Sequence, residues 1–242
     1  MISIITPVLN EKKQIAPFCA HLAGLDGRFE CLVVDGGSTD GTVAEVHRCE
    51  NALPFPLQLL SAPRGRAMQM NAGAAAAKGE ILLFLHVDCR IPPGSLAAIE
   101  AAVQSEAAVG GGFTHSFAPT SPLLAATSTL GNLYARATGI FFGDFGIFLQ
   151  RDAFLRIGGY DTSLPYCEDA GLCRAARKVG RLVQIPQTIV SSSRRYEHQG
   201  RFRLTAIFAA VIFLDTLGIR PGRFSPVVGG REENEKTLTP QR

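Results

Sequence analysis

Tryptophan is absent from this 242-residue chain, and several motifs that would assign a function at once are missing too. There is no GxxxxGK[ST] phosphate loop, and the glycines of residues 36–41 do not have GxGxxG spacing. No long block of lysine and arginine occurs, and a formal net charge of +3 is too small to indicate a nucleic-acid partner. These absences argue against a P-loop protein, a dinucleotide-binding protein and a nucleic-acid-binding protein.

The six cysteines form neither a CxxC pair nor a zinc-type spacing. Most lie among apolar residues, which is typical of reduced packing thiols in a cytosolic protein. Residues 1–5 have no basic region and no long apolar core, so a signal peptide is not expected. We therefore expect a cytoplasmic protein.

Short β-rich runs alternate with helical patterns through the first half of the chain. Strands are predicted at residues 2–6, 29–35, 57–61 and 81–86, with helices near 15–25, 42–49 and 66–77. This alternation predicts an α/β fold with a mostly parallel central sheet flanked by helices on both faces. The second half predicts strands at 110–114 and 143–150 and helices at 123–137, 152–157 and 168–179. A single domain with a C-terminal apolar helix is expected.

Right-handed crossovers bring the ends of parallel strands to one rim, where ligands bind in open α/β sheets. Residues 6–11, 35–40 and 86–88 would meet there. Asp35 and Asp88 each directly follow a predicted buried strand, where an unpaired carboxylate is costly. Such a carboxylate can hold a divalent cation that grips a diphosphate. Asp40 is better explained as a helix cap.

Two further groups of charged residues suggest chemistry. Arg64 and Arg66 precede a helix and can pair with phosphates, although a solvated helix start is the alternative. Glu168 and Asp169 begin a later helix, where one carboxylate can act as a general base. The alternative for this acidic pair is simple complementation of the helix dipole.

Residues 204–219 are strongly apolar, are interrupted by Asp215 and are flanked by arginines at 194, 195, 201, 203, 220 and 223. The run is short for a membrane span. A helix lying in a membrane interface and a helix packed on the domain or on a partner subunit are the other two explanations. Residues 231–242 are polar and expected to be disordered.

Taken together, these segments resemble the family 2 glycosyltransferases, inverting nucleotide-sugar enzymes with the Rossmann-like A-type fold. The resemblance covers residues 2–185, and its motifs are Ile4-Ile5-Thr6-Pro7-Val8-Leu9-Asn10-Glu11, Val33-Val34-Asp35-Gly36-Gly37-Ser38-Thr39-Asp40-Gly41-Thr42, Leu83-Phe84-Leu85-His86-Val87-Asp88, Gly158-Gly159-Tyr160-Asp161 and Glu168-Asp169. Residues 65–73 with His86-Val87-Asp88 resemble a compact bacterial subgroup of that family.

The resemblance implies a role for each matching residue. Asp88 would ligate Mg²⁺ or Mn²⁺ bridging the two phosphates of the donor, and Asp169 would deprotonate the acceptor hydroxyl. The cation would offset charge on the leaving nucleoside diphosphate. The implied donor-binding set is Pro7, Asn10, Glu11, Asp35, Arg64, Arg66, Gln69, Asn71, His86 and Val87.

The chain departs from the family pattern at three points. Asp35-Gly36 stands where Asp-Asp is common, which removes one expected contact with the base. His86-Val87-Asp88 replaces the usual Asp-x-Asp and leaves one carboxylate for the metal. His86 is then either a second ligand or a hydrogen-bonding partner of a phosphate or a sugar hydroxyl. The Gln-x-x-Arg-Trp signature of processive synthases is absent, which predicts a single transfer.

The resulting expectation is an inverting, non-processive transfer of sugar from a nucleoside diphosphate sugar to a small or lipid-linked acceptor. Residues 1–110 would bind the donor, residues 111–200 the acceptor, and residues 201–242 would form the apolar, basic helix and tail. Peripheral contact of residues 201–223 with the inner face of the membrane and homodimer formation are both left open. The alternatives are nucleotidyl transfer and a non-catalytic protein that binds nucleotide sugars at the membrane.

Overall fold

The structure is a computed structural model that describes residues 1–50, 52–105, 108–164 and 167–217. Within these ranges, strands β1 to β8 span Ile2–Val8, Phe29–Asp35, Leu57–Ser61, Ile81–Phe84, Cys89–Arg90, Ala108–Ala118, Ile147–Gln150 and Arg181–Ser192. Helices α1 to α9 span Lys12–Ala23, Thr42–Glu50, Arg66–Ala76, Ser95–Ser105, Pro122–Thr138, Arg151–Arg156, Glu168–Ala176, Arg194–Gln199 and Arg201–Thr216.

All eight strands belong to one sheet with the order β3-β2-β1-β4-β7-β6-β8-β5. The first four strands in this order are mutually parallel. The remaining part is mixed, because β7 runs antiparallel to both β4 and β6 while β6 and β8 are parallel. The predicted α/β fold with one central sheet is confirmed, and the parallel pairing is concentrated in its first half.

Helices cover both faces of the sheet, as strands buried along their whole length require. One core holds Phe18 of α1, Val46 of α2 and Ile99 of α4. The core on the opposite face holds Met70 of α3 and Leu172 of α7, together with residues of α5. The sheet is therefore the middle of three layers, and the rim of its parallel strands remains open for a site.

The sequence prediction and the structure differ at several element boundaries. Strand β4 ends at Phe84, so His86 lies in the following turn, where its carbonyl accepts a hydrogen bond from the Cys89 amide at 3.0 Å. The strand predicted from residue 143 begins with a 3-10 turn at Gly143–Phe145. Elements α4, β5, β8 and α8 were not predicted. Strand β6 crosses the predicted boundary between residues 110 and 111, and the division into halves stays a prediction.

Helix α9 packs on the domain through one of its faces. The Phe208 and Phe142 rings lie 5.0 Å apart, and Asp215, which interrupts the apolar run, pairs with Arg174 of α7 and Tyr134 of α5. No helix among the described residues is long and apolar enough to cross a membrane. The predicted end of the run at residue 219, its two following arginines and the tail at 231–242 lie outside the described residues.

Two glycines of β6, Gly110 and Gly111, let the backbones of the neighbouring strands approach unusually closely. A Cβ atom on Gly111 would lie 1.9 Å from the Val183 carbonyl oxygen, and one on Gly110 would lie 2.2 Å from the Phe148 carbonyl oxygen. Both clashes are with backbone atoms of neighbouring strands, so rotating a side chain cannot relieve them. The centre of the mixed half-sheet therefore depends on residues without side chains.

We predict that Gly111→Ala lowers the free energy of unfolding by about 3 kcal/mol or more, because the added methyl group displaces a paired strand. Urea titration followed by circular dichroism measures this loss. Gly24→Ala is the matched control, since Gly24 has a φ of −91° and its added Cβ meets only a carbonyl oxygen at 3.5 Å. Equal stability of the two variants would contradict the prediction.

Candidate active site

The carboxyl ends of β1, β2 and β4 lie side by side because β1 pairs in parallel with both neighbours. The chain moves outward from β1 to β3 and then returns to the other side of β1 for β4. This reversal is the topological switch point at which open α/β sheets bind ligands. The three polar loops predicted to meet are therefore neighbours in the structure.

Backbone and side chain hydrogen bonds join the loops after β1 and β2. The Asn10 amide donates to Ser38 Oγ, and Asn10 Oδ1 accepts from the Thr39 amide, both at 2.8 Å. Asp35 is buried and accepts from the amides of Gly37 and Ser38 at 2.9 and 3.0 Å. The carboxylate of Asp35 therefore shapes the glycine-rich turn, and its contact with a nucleoside stays a prediction.

Asp40 caps α2, as expected. Its Oδ1 accepts from the Thr42 amide at 2.9 Å, and its Oδ2 accepts from the Lys12 amide at 3.1 Å. The Glu11 amide donates to Thr42 Oγ1 at 2.9 Å. The starts of α1 and α2 are thereby linked, which leaves the Glu11 side chain free to face the neighbouring loop after β4.

Helix α3 carries two residues that the sequence predicts to contact the sugar donor, and the side-chain amides of both form hydrogen bonds within the protein. Gln69 is buried and donates through Nε2 to the carbonyl oxygens of Val8 at 2.8 Å and Val34 at 2.7 Å. Asn71 exchanges two hydrogen bonds of 2.9 Å with the backbone of Tyr160. Both residues position the loops of the site, and direct contact with a donor stays a prediction for each.

The start of α3 brings positive charge to the same region. Arg66 is its first residue, and its guanidinium lies 3.7 Å from the Glu168 carboxylate at the start of α7. Arg64 lies in the exposed loop just before Gly65, whose φ of +135° turns the chain into the helix. The structure therefore brings Arg66 to the acidic pair that the sequence placed in the acceptor half.

His86 and Asp169 face each other across Gly143. A Cβ atom on Gly143 would lie 2.5 Å from His86 Nε2 and 2.8 Å from Asp169 Oδ2, so a larger residue here would displace one of these side chains. Pro7, His86, Gly143 and Asp169 line one small pocket. The predicted general base and the histidine after β4 thus share a site, although they lie far apart in the sequence.

The Asp169 carboxyl is buried beside a second acidic residue, Glu168. Burial, followed by the nearby negative charge of Glu168, raises its pKa well above the ordinary value, while Arg66 and the Gly143 amide oppose this. Asp169 Oδ1 is buried and has no hydrogen-bond partner among the described residues. The pKa of His86 is lowered, first by burial and then by Arg66, which favours its neutral imidazole.

Asp88 and Glu11 share one positive partner. Arg194 Nη2 lies 3.3 Å from Asp88 Oδ2 and 3.6 Å from Glu11 Oε2. Burial raises the pKa of Glu11, and Asp88 and Asp40 add to this while Arg194 lowers it. The side chain of Val87, between His86 and Asp88, is 4% exposed and packs in the core, so only its backbone faces the loop.

Sequence reasoning missed several residues of this site, including Gly143 and Arg194. Asp144 follows Gly143, and its Oδ2 lies 3.3 Å from Nε2 of the buried His115. That nitrogen is also 2.7 Å from Ser191 Oγ, and the His115 ring stacks on Phe145. A glycine-aspartate pair at the start of the strand predicted over residues 143–150 was the available signal for Asp144. Arg194 was interpreted only as flanking the apolar helix.

The residues present suit a cation that is completed by substrate. Within the described ranges, no group of three or more His, Cys, Asp or Glu side chains is placed to hold a metal. Mg²⁺ commonly binds proteins through one or two carboxylates and takes its other ligands from waters and substrate phosphates. Glu11 and Asp88, which already share a cationic partner, fit this mode.

Comparison with known proteins agrees with this geometry. Residues 3–155 match the family model of glycosyl transferase family 2. The chain is 29% identical over 184 residues to an uncharacterized glycosyltransferase of Haemophilus influenzae, a match that covers 70% of this chain and 59% of that protein. It is 25% identical over 179 residues to the undecaprenyl-phosphate 4-deoxy-4-formamido-L-arabinose transferase of Pseudomonas savastanoi pv. phaseolicola, covering 68% and 52% of the two chains. The chain therefore spans little more than half the length of these relatives.

Among solved structures, a mannosyltransferase from Pyrobaculum calidifontis in complex with GDP-Man and Mn²⁺ has the same fold. Its TM-score is 0.68 at 23% identity, and the match covers 91% of this chain and 72% of that one. At this identity the likeness speaks for the fold alone. The family model covers well over half of the 242 residues, and on that ground the chain belongs to glycosyl transferase family 2.

Proposed function

We propose that this chain transfers one sugar from a nucleoside diphosphate sugar to an acceptor hydroxyl, with inversion at the anomeric carbon. The observation that carries the proposal is the placement of His86 and Asp169 across Gly143, beside the loops at the switch point. Family membership supports sugar transfer over nucleotidyl transfer and over a non-catalytic role. The lack of tryptophan, and with it of the processive signature, supports a single transfer.

On the donor side, the chain supplies backbone groups and positive charge. The loops around Asn10 and Ser38, which hydrogen bonds join, would line one side of the nucleoside site. Arg66 is placed to pair with the diphosphate through charge-assisted hydrogen bonds. A divalent cation held by Asp88 and Glu11 would offset charge on the leaving diphosphate, a contribution of several kcal/mol.

On the acceptor side, Asp169 takes the proton. Its unpartnered Oδ1 accepts the proton of the acceptor hydroxyl as the oxygen forms a bond to the anomeric carbon. The bond from that carbon to the diphosphate oxygen breaks at the same time, and the electron pair leaves with the nucleoside diphosphate. His86 Nε2 points towards Gly143 and Asp169, which favours a hydrogen bond to the sugar or a phosphate over metal ligation.

We predict that Asp169→Asn keeps donor binding and loses transfer by about 10²–10⁴-fold, because the amide cannot take the proton. Transfer is measured with panels of GDP-sugars and UDP-sugars, and donor binding by calorimetry. The loss is expected with soluble sugars, which attack through a hydroxyl; prenyl phosphates, which attack through an oxygen that is already ionised, are compared as a second acceptor class. Retained turnover in the variant would remove Asp169 as the base.

The pH profile separates the base from a structural role. Because the pKa of Asp169 is raised, the rate should fall as pH falls through that raised value. Glu168→Gln removes the neighbouring negative charge and lowers the pKa, so the acidic limb moves to lower pH. Asp161→Asn is the control, since Asp161 is exposed and bonded within its own turn to Ser163. An acidic limb that Glu168→Gln leaves in place would contradict the assignment.

We predict that Asp88→Asn abolishes the increase in nucleoside diphosphate affinity that Mn²⁺ produces. The substitution removes one of the two carboxylates assigned to the cation. Calorimetric titration of GDP and UDP with and without Mn²⁺ measures the effect. Asp152→Asn, on α6 in the second half, is a control of equal charge change. Metal dependence unchanged by Asp88→Asn would exclude Asp88 as the ligand.

A lipid-linked acceptor is the substrate class that the relatives and the surface favour. One relative is named for transfer to undecaprenyl phosphate. Phe202 and Phe213 of α9, and Leu217 directly after its last residue, are 81%, 63% and 58% exposed, and their spacing places them within one stripe along the helix. Arg201 and Arg203 add positive charge at the start of the helix. We propose that this stripe touches an anionic membrane surface; cytoplasmic location and homodimer formation stay predictions.

Flotation with anionic lipid vesicles tests the membrane contact. We expect the full chain to float, and the double variant Phe202→Ser with Phe213→Ser to float less, because apolar area leaves the interface. Leu155→Ser is the control, since Leu155 is 59% exposed on α6 rather than on α9. If the double variant floats as well as the unchanged protein, the stripe does not contact the membrane.

A further inference from the structure

Arg194 lies where the sequence placed no site residue. It is the first residue of α8, yet its guanidinium reaches the loops that follow β1 and β4. One nitrogen, Nη2, contacts both Asp88 and Glu11, at 3.3 and 3.6 Å. A single positive charge therefore lies between the two carboxylates that the proposed function assigns to a divalent cation.

Arg194 does not form a two-hydrogen-bond ion pair with either Asp88 or Glu11. A strong arginine–carboxylate pair uses two parallel hydrogen bonds, whereas Arg194 shares one nitrogen between two carboxylates. Its Nε is buried without a hydrogen-bond partner among the described residues. The side chain of Arg194 is also 41% exposed, so its guanidinium can move into solvent without unfolding α8.

Two carboxylates held this close need positive charge between them. Glu11 and Asp88 lie on loops fixed by the ends of parallel strands, so they cannot separate freely. Arg194 supplies one charge at hydrogen-bond distance, whereas a divalent cation supplies two charges at 2.0–2.1 Å, roughly the distance usual for Mg²⁺. Because the guanidinium and the divalent cation would neutralise the same two carboxylates, we expect them to compete for the pair.

Resting on the proposed function, we infer that Arg194 is a further residue of the donor site, a resident counter-ion that the divalent cation displaces. Arg194 occupies the Glu11–Asp88 pair in the free protein and keeps the two loops together. Binding of the cation with the donor diphosphate releases the guanidinium. The affinity of the free protein for metal alone is therefore reduced, and the donor phosphates are needed to favour the exchange.

Calorimetric titration of the full chain with Mn²⁺ alone, without nucleotide, tests this inference. We expect Arg194→Gln to bind Mn²⁺ about fivefold more tightly than the unchanged protein, because the competing charge is gone. Arg194→Lys, which keeps the charge, should bind Mn²⁺ with nearly unchanged affinity. Arg201→Gln is the control for net charge, since Arg201 pairs on the surface with Glu197 at 3.8 Å.

A second measurement needs no substitution that could disturb folding. The Nε–H resonance of Arg194 is followed by NMR during a titration with Mg²⁺, and a shift that saturates with the metal is expected. Mn²⁺ affinity of Arg194→Gln that is equal to or weaker than that of the unchanged protein overturns the inference, as does an unmoved resonance while Mg²⁺ binds.

The outcomes also separate this inference from the proposed function. If transfer needs metal but Arg194→Gln binds Mn²⁺ no more tightly, only the role of Arg194 is wrong. If the unchanged protein transfers sugar in EDTA and no variant binds Mn²⁺, the cation site and the inference fall together while sugar transfer stands. If no sugar is transferred although Arg194→Gln binds Mn²⁺ more tightly, the exchange stands and the proposed function fails.

Discussion

The parallel pairing of β1 with both β2 and β4 is the constraint on which the site depends. The register places Val8 beside Asp35 and Ile5 beside Phe84, so three loops leave the sheet at one edge. Gln69 reinforces that edge by donating to carbonyls at the ends of β1 and β2. Gly73 lets α3 approach closely, since a Cβ atom there would lie 2.5 Å from the Ile5 side chain. Backbone geometry thus brings the loops together before any catalytic side chain is considered.

Charge is arranged around that edge in two groups. Arg66 lies beside Glu168 next to the pocket, and Arg194 lies between the carboxylates of Asp88 and Glu11. Asp169 is buried next to the first group, and its Oδ1 has no hydrogen-bond partner in the part of the chain that the structure describes. An anionic donor suits this arrangement because its phosphates can take over the contacts of both arginines. The raised pKa of Asp169 and the position of Arg194 between two carboxylates both follow from the concentration of acidic residues at this edge.

Much of the first half of the chain could be predicted because its strands are largely apolar runs bounded by turn residues. Phe29–Asp35 and Leu57–Ser61 have the predicted bounds. The second half was predicted less well: β8 mixes buried and exposed positions along its length and contains Pro186, which hides its pattern. The arginines of α8 resembled the flank of an apolar helix, because the partner of Arg194 at Asp88 is 106 residues away.

By itself, the sequence determined the alternation of strands and helices, the polar loops at the strand ends and the acidic pair at 168–169. These depend on local patterns of apolar residues and turn chemistry, which act over a few residues. Only the tertiary structure decided that Gly143 separates His86 from Asp169, that Gln69 and Asn71 hold backbone groups, and that Arg194 lies between Glu11 and Asp88. Those relations join segments far apart in the chain, and burial and charge act through space rather than along the sequence.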